Sequence, residues 1–141
     1  MAVFNNPEEA WSVLMGDRLI PRWTQDSPIR PSVWYEYMFD TARLAHQERI
    51  KNVWVTCGYI QEEPLLELCQ YLDAANVDLK AFSDDFYRQL TGARLADVCE
   101  TIRYIANETE TWLELTTLLI PGENDSDQEI IRLSKWIYDE L

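Results

Sequence analysis

Apolar positions along this chain follow two spacings, and the spacing switches several times after residue 32. Residues 33–48 carry Val33, Tyr37, Thr41, Leu44 and Ala45 three and four apart, which predicts a helix with those residues on its inner stripe. Lys51 to Thr56 is a short run rich in β-branched residues, stopped by Cys57-Gly58, and reads as a strand. Glu62-Glu63-Pro64 opens a second helix with Leu65, Leu68, Cys69 and Leu72 facing inward. Ala75 to Lys80 reads as a second strand. A short helix begins at Ser83 and closes at Gly92.

Residues 94–107 show the clearest helical period, with Leu95, Val98, Cys99, Ile102, Ile105 and Ala106 on one side. Trp112 to Ile120 is an apolar run expected to form a third strand, ended by Pro121-Gly122. Ser126 followed by Glu129 is the signature of a capping box, and the last helix should bury Ile130, Leu133 and Ile137. Strands alternating with helices in this way predict an α/β fold with about three parallel strands.

The first part of the chain has a different character. Pro7-Glu8-Glu9 can open a helix through Leu14, with its acids at the positive end of the helix dipole. Pro21, Pro28 and Pro31 then interrupt any regular pattern. Residues 1–31 are therefore expected to be a short helix plus an irregular connector, and residues 32–141 the α/β unit.

Charge narrows the range of partners. Twenty-five acidic residues against twelve basic ones give a net charge of -13, a field that opposes both phosphate backbones and acidic membranes. No apolar run reaches the roughly 20 residues of a membrane helix. The first six residues lack the basic start and apolar stretch of a secretory signal, so the expected location is the cytoplasm. The three cysteines, Cys57, Cys69 and Cys99, are too widely spaced for a zinc-type pair or a disulfide framework, and His46 is the only histidine.

In parallel α/β sheets ligands bind at the carboxyl ends of the strands. Three loops are expected there: Thr56 to Gly58, Asp78 to Ser83 and Thr116 to Asp125. Asp78 and Lys80 are two apart on a strand and point to one face, while Val77, Leu79 and Ala81 point to the other. Opposite charges on a parallel strand have two readings. They bind a zwitterionic or cation-containing ligand, or they form a simple ion pair at the strand end. Cys57 is a small loop residue or a reactive thiol. Cys69 and Cys99 fall on apolar helix stripes and belong to the core, and His46 suits a helix C-terminus. Pro121 to Ser126 is a ligand loop or a turn into a capped helix.

Four segments occur in an order that resembles a known family. They are Val33-Trp34-Tyr35-Glu36-Tyr37-Met38, Asn52-Val53-Trp54-Val55-Thr56-Cys57-Gly58-Tyr59-Ile60, Asn76-Val77-Asp78-Leu79-Lys80-Ala81-Phe82, and Thr116-Thr117-Leu118-Leu119-Ile120-Pro121-Gly122-Glu123-Asn124-Asp125-Ser126. Together they resemble radical S-adenosylmethionine enzymes of the pyruvate formate-lyase activating enzyme type, in the branch called AmmeMemoRadiSam. The resemblance implies a partial (βα) barrel. It also implies a [4Fe–4S] cluster on a Cys-x-x-x-Cys-x-x-Cys loop, which cleaves S-adenosylmethionine to a radical that abstracts hydrogen. It further implies that Asp78 and Lys80 correspond to an Asp-x-Lys that organises the S-adenosylmethionine carboxylate, in some members through a monovalent cation. Thr56 corresponds to the threonine of a Thr-Asn-Gly loop lining the same region.

The chain departs from that pattern in three places. It has no Cys-x-x-x-Cys-x-x-Cys, so the cluster ligands expected for the family are absent from these 141 residues. Arg30 stands where the family branch has the glutamate that meets the S-adenosylmethionine ammonium, reversing the charge. Cys57 replaces an asparagine and its hydrogen-bonding amide. The expectation is a truncated radical S-adenosylmethionine domain, inactive alone, with S-adenosylmethionine binding implied only by the resemblance. The alternative is a non-catalytic partial barrel used as a scaffold or interaction module. A partial barrel leaves sheet edges and an inner face uncovered, so a homo-oligomer or a protein partner covering it is expected.

Overall fold

The computed structural model describes residues 31–141, with side chains from Tyr35 onward. The expected helix over residues 7–14, the connector through residue 30 and Arg30 lie outside the described residues. Helix α1 spans Pro31–Gln47. It begins two residues before the predicted start, because proline's fixed φ and missing N–H suit the first helical position. Strand β1 (Val53–Thr56) follows, then α2 (Glu62–Cys69), β2 (Ala74–Asp78) and a short α3 (Asp84–Phe86). That helix runs into a π-helical turn, Tyr87–Thr91, closed by Gly92. Helix α4 (Leu95–Glu108), β3 (Trp112–Thr116) and α5 (Asp127–Glu140) complete the order.

The three strands form one parallel sheet in the order β1-β2-β3. This is the expected partial (βα) barrel: an open sheet with a helical return between successive strands. Trp54, Thr56, Ala75, Val77, Leu113 and Leu115 share one face by register. The helices pack against that face, so the core gathers Ala75 and Val77 with Leu65, Val98, Ile102, Ile105 and Trp136. The alternation continues past the end of β2, where Leu79 and Ala81 are also buried. The opposite face carries Val53, Val55, Asn76, Asp78, Trp112, Glu114 and Thr116. Among the described residues no element covers it: Val55 is 75% exposed and Trp112 74%. Among the described residues β1 and β3 are both edge strands.

Two predicted stripes are corrected. Helix α1 does not turn Tyr37 and Leu44 inward, as both are exposed. Its packed side is Tyr35, Phe39 and Ala42. The Tyr35 hydroxyl donates to the Pro64 carbonyl at 3.0 Å, and Phe39 meets Tyr71 edge-on with ring centroids 5.4 Å apart. In α5 Ile130 is exposed, and Glu129 and Trp136 are the buried members beside Leu133 and Ile137. Aromatic contacts outweigh the aliphatic period in α1, and Trp136 with the buried Glu129 does so in α5.

β3 is shorter than predicted. It ends at Thr116 because its partner β2 ends at Asp78. From Thr117 onward side-chain hydrogen bonds replace the ladder, leaving Leu118 and Leu119 exposed in the loop.

At the amino end of the sheet Asn52 ties three segments together. Its side-chain amide donates to the carbonyls of Ala42 (2.9 Å) and Tyr71 (2.8 Å), and its backbone N–H donates to Asp73.

Candidate functional site at the carboxyl end of the sheet

Parallel pairing brings the three predicted loops to one end of the sheet. At the end of central strand β2 the Asp78 and Lys80 side chains form an ion pair through Asp78 Oδ2. The other carboxylate oxygen, Oδ1, is buried without a hydrogen-bond partner among the described residues. A buried acceptor left unpaired costs stability, which sets this oxygen apart from a carboxylate satisfied by its ion pair.

The segment that carries the pair is held from four directions. Thr117 Oγ1 donates to the Leu79 carbonyl at 2.7 Å. The Lys80 N–H donates to the Tyr87 hydroxyl at 3.0 Å, and the Lys80 carbonyl accepts from Asn124 Nδ2 at 2.6 Å. The Phe82 N–H donates to the buried carboxylate of Glu129, which also pairs with Arg132. Residues beyond a strand end have lost their ladder partners, and these four side chains supply substitutes. Burial pushes the Tyr87 phenol well above its ordinary range, with the Lys80 N–H pulling the other way, so Tyr87 is a neutral hydroxyl.

Thr56 is placed differently. Its register partner is Val77, so its side chain lies on the helix-covered face, across the sheet from Asp78. It is buried, and its Oγ1 accepts from the Gly58 N–H at 3.1 Å, shaping the turn after β1. Gly58 has φ +72, and a Cβ there would lie 2.9 Å from Val77 Cγ1 and 3.2 Å from Val98 Cγ1. Only glycine fits this turn.

Within Pro121 to Ser126, Asn124 turns inward and is 2% exposed. It accepts from the Ile120 N–H at 2.6 Å and donates to the Leu118 carbonyl at 2.9 Å, besides its bond to Lys80. Ser126 caps α5 by accepting from the Glu129 N–H at 3.2 Å. The reciprocal half of the predicted capping box is not made, because the Glu129 carboxylate is engaged by Phe82. Sequence reading missed the parts played by Tyr87, Thr117 and Asn124. The only available signal was an isolated asparagine in the Pro-Gly loop.

The cysteines do not fit an iron–sulfur cluster. Cys57 follows β1 at the carboxyl end, whereas Cys69 ends α2 after the chain has returned toward the amino end. Cys99 is buried in α4. Burial pushes the Cys69 and Cys99 thiols up to about 11, so both are protonated at neutral pH. No group of three or more metal-ligating side chains occurs among the described residues. His46 sits in the last turn of α1, edge-on to Tyr71. No helix among the described residues is long and apolar enough to cross a membrane.

Comparison with known proteins bears on family and fold. An uncharacterized protein of Methanocaldococcus jannaschii is 38% identical over 111 residues, covering 79% of this chain and 32% of that protein. The 4-hydroxyphenylacetate decarboxylase activating enzyme of Clostridium scatologenes is 26% identical, covering 76% of this chain and 35% of its own length. The pyruvate formate-lyase 1-activating enzyme of Escherichia coli is 27% identical, covering 74% and 43%. The chain thus spans less than half the length of each of these relatives. A crystal structure of a domain of pyruvate-formate lyase-activating enzyme from Bacteroides vulgatus superposes with a TM-score of 0.64 at 17% identity, over 77% of this chain and 66% of that one, a likeness of fold. The sequence pattern of the radical SAM superfamily matches residues 27–134, and the chain belongs to that superfamily.

Proposed function

We propose that this chain carries the S-adenosylmethionine-recognising part of a radical enzyme of the activating-enzyme type, and that its own three cysteines do not hold the [4Fe–4S] cluster. The reading rests on Asp78, with one oxygen paired to Lys80 and the other buried and, among the described residues, unpartnered. The methionyl end of S-adenosylmethionine carries an ammonium and a carboxylate. The Asp78 carboxylate suits the ammonium, or a monovalent cation bridging to the carboxylate. The Lys80 ammonium suits the carboxylate directly. The names of the similar activating enzymes favour the same chemistry. No radical step is assigned to this chain, because its cysteines do not fit the group that would drive one.

The test is S-adenosylmethionine titration calorimetry on the protein and on Asp78→Ala, alongside anaerobic iron–sulfide reconstitution. Expected are saturable binding, weakening of about tenfold or more in the variant, and no stoichiometric iron. Uptake near one cluster per chain refutes the second half of the proposal. Absence of binding favours a second reading, a non-catalytic interaction module. The exposed Val53, Val55 and Trp112 on the uncovered sheet face motivate that reading. It predicts a concentration-dependent increase in mass by analytical ultracentrifugation.

A further inference from the structure

We propose that Tyr87 is a positioning residue: its hydroxyl fixes the Lys80 peptide so that the lysine ammonium lies on Asp78 and leaves the second Asp78 oxygen for the ligand. This deepens the proposed function and rests on it for the identity of that ligand. Lys80 lies beyond the end of β2, so no strand orients its peptide planes. Two side chains do so instead, Tyr87 at the N–H and Asn124 at the carbonyl.

Asn124 has two further bonds within its own loop and serves that loop as well. The Tyr87 ring is 1% exposed and sits beside Phe86, with ring centroids 6.3 Å apart. It acts as a rigid strut with only two side-chain torsions, reaching Lys80 from the core side. It enters from the π-helical turn Tyr87–Thr91, a distortion of helical winding often found at functional sites.

Rotation of the Lys80 peptide would swing its four-carbon stem away from Asp78. The pair holds an otherwise flexible lysine at one place, and its side chain is only 21% exposed. The Tyr87 ring belongs to the core, whereas its hydroxyl bonds the Lys80 N–H, so phenylalanine separates the two roles.

The experiment is a double-variant cycle read by nuclear magnetic resonance of the Lys80 side chain, with no ligand present. Asp78→Asn is made in the native background, in Tyr87→Phe and in Ile105→Val, a core change remote from the pair. The Asp78→Asn displacement of the Lys80 signal should shrink at least about threefold in Tyr87→Phe and persist in Ile105→Val. S-adenosylmethionine affinity should fall about tenfold in Tyr87→Phe and not in Ile105→Val.

A displacement that persists in Tyr87→Phe overturns the proposal, as does unchanged affinity in that variant when the native protein binds. If the displacement is lost but the native protein does not bind S-adenosylmethionine, the positioning role stands and the proposed function falls. Should Tyr87→Phe fail to fold, the native Lys80 amide proton decides. Slow exchange supports the bond to Tyr87, and exchange as fast as an exposed loop amide overturns it.

Discussion

Replacing Asn124 by aspartate changes one NH2 to an oxygen with almost no change in shape, at a residue that is 2% exposed. The Ile120 N–H keeps an acceptor, now a charged one. The other side of the group meets the carbonyls of Lys80 and Leu118, which accept from Asn124 at 2.6 and 2.9 Å. With a carboxylate there, two lone-pair oxygens face each other at hydrogen-bond distance at both contacts.

Two half-buried acceptors lose their donor, at about 1 kcal/mol each. A buried charge with a single donor adds to that, so a total loss of about 3–5 kcal/mol is expected at neutral pH. Against the roughly 5–15 kcal/mol of a typical domain, that leaves the variant marginal.

Protonation relieves the clash, because a carboxylic acid can donate to one of the two carbonyls. The folded-state pKa of the introduced carboxyl group is therefore raised above the ordinary aspartate value of about 3.9. The unfolded state ionises first as pH rises, so the deficit is smallest below about pH 4. It grows until the folded pKa is passed. Urea unfolding of both proteins at acidic pH, near 4, and at mildly alkaline pH, near 8, measures this directly. A deficit below about 1 kcal/mol on the alkaline side, or one independent of pH, refutes the argument that Asn124 donates to both carbonyls.

Three further outcomes are expected. Gly58→Ala should cost about 2–4 kcal/mol in urea unfolding, since it combines a left-handed backbone with a Cβ contact at 2.9 Å to Val77. Ser126→Ala should cost about 1 kcal/mol and lower the melting temperature, through loss of the α5 cap. Cys69 and Cys99 should resist iodoacetamide at mildly alkaline pH in the native protein and react rapidly in denaturing urea, as read by peptide mass spectrometry. Their raised thiol values also mean that the unfolded chain ionises first, so stability should fall as pH climbs from about 8.5 toward 11.

Element order and the parallel sheet were legible because Val98, Ile102 and Ile105 repeat at helical spacing and Val53 to Thr56 is β-branched. The inward side of α1 was not, because Tyr35 and Phe39 are fixed by partners across the fold, at Pro64 and Tyr71, and spacing within one helix cannot reveal them. The pairing of Asp78 with Lys80 on one face was legible from their two-residue spacing. Thr56 belonged to the same end of the sheet but to the opposite face. That distinction requires its register against Val77, a non-local quantity. The buried partners of Leu79 to Phe82 were hidden for a similar reason. Tyr87, Thr117 and Glu129 look like ordinary helix and loop residues until the topology brings them together.

The bond from Phe82 to Glu129 spans 47 positions, and that from Lys80 to Asn124 spans 44. Chain order therefore dictates assembly order. The first two strands can pair while the Asp78–Lys80 segment still lacks three of its four restraints, Thr117, Asn124 and Glu129. Those arrive only when the loop after β3 and the first turn of α5 dock, and closing such long loops is slow compared with forming local helix. During synthesis the ligand end of the sheet is thus the last region to become rigid. A chain interrupted between β3 and α5 would have a paired sheet but an unfinished site.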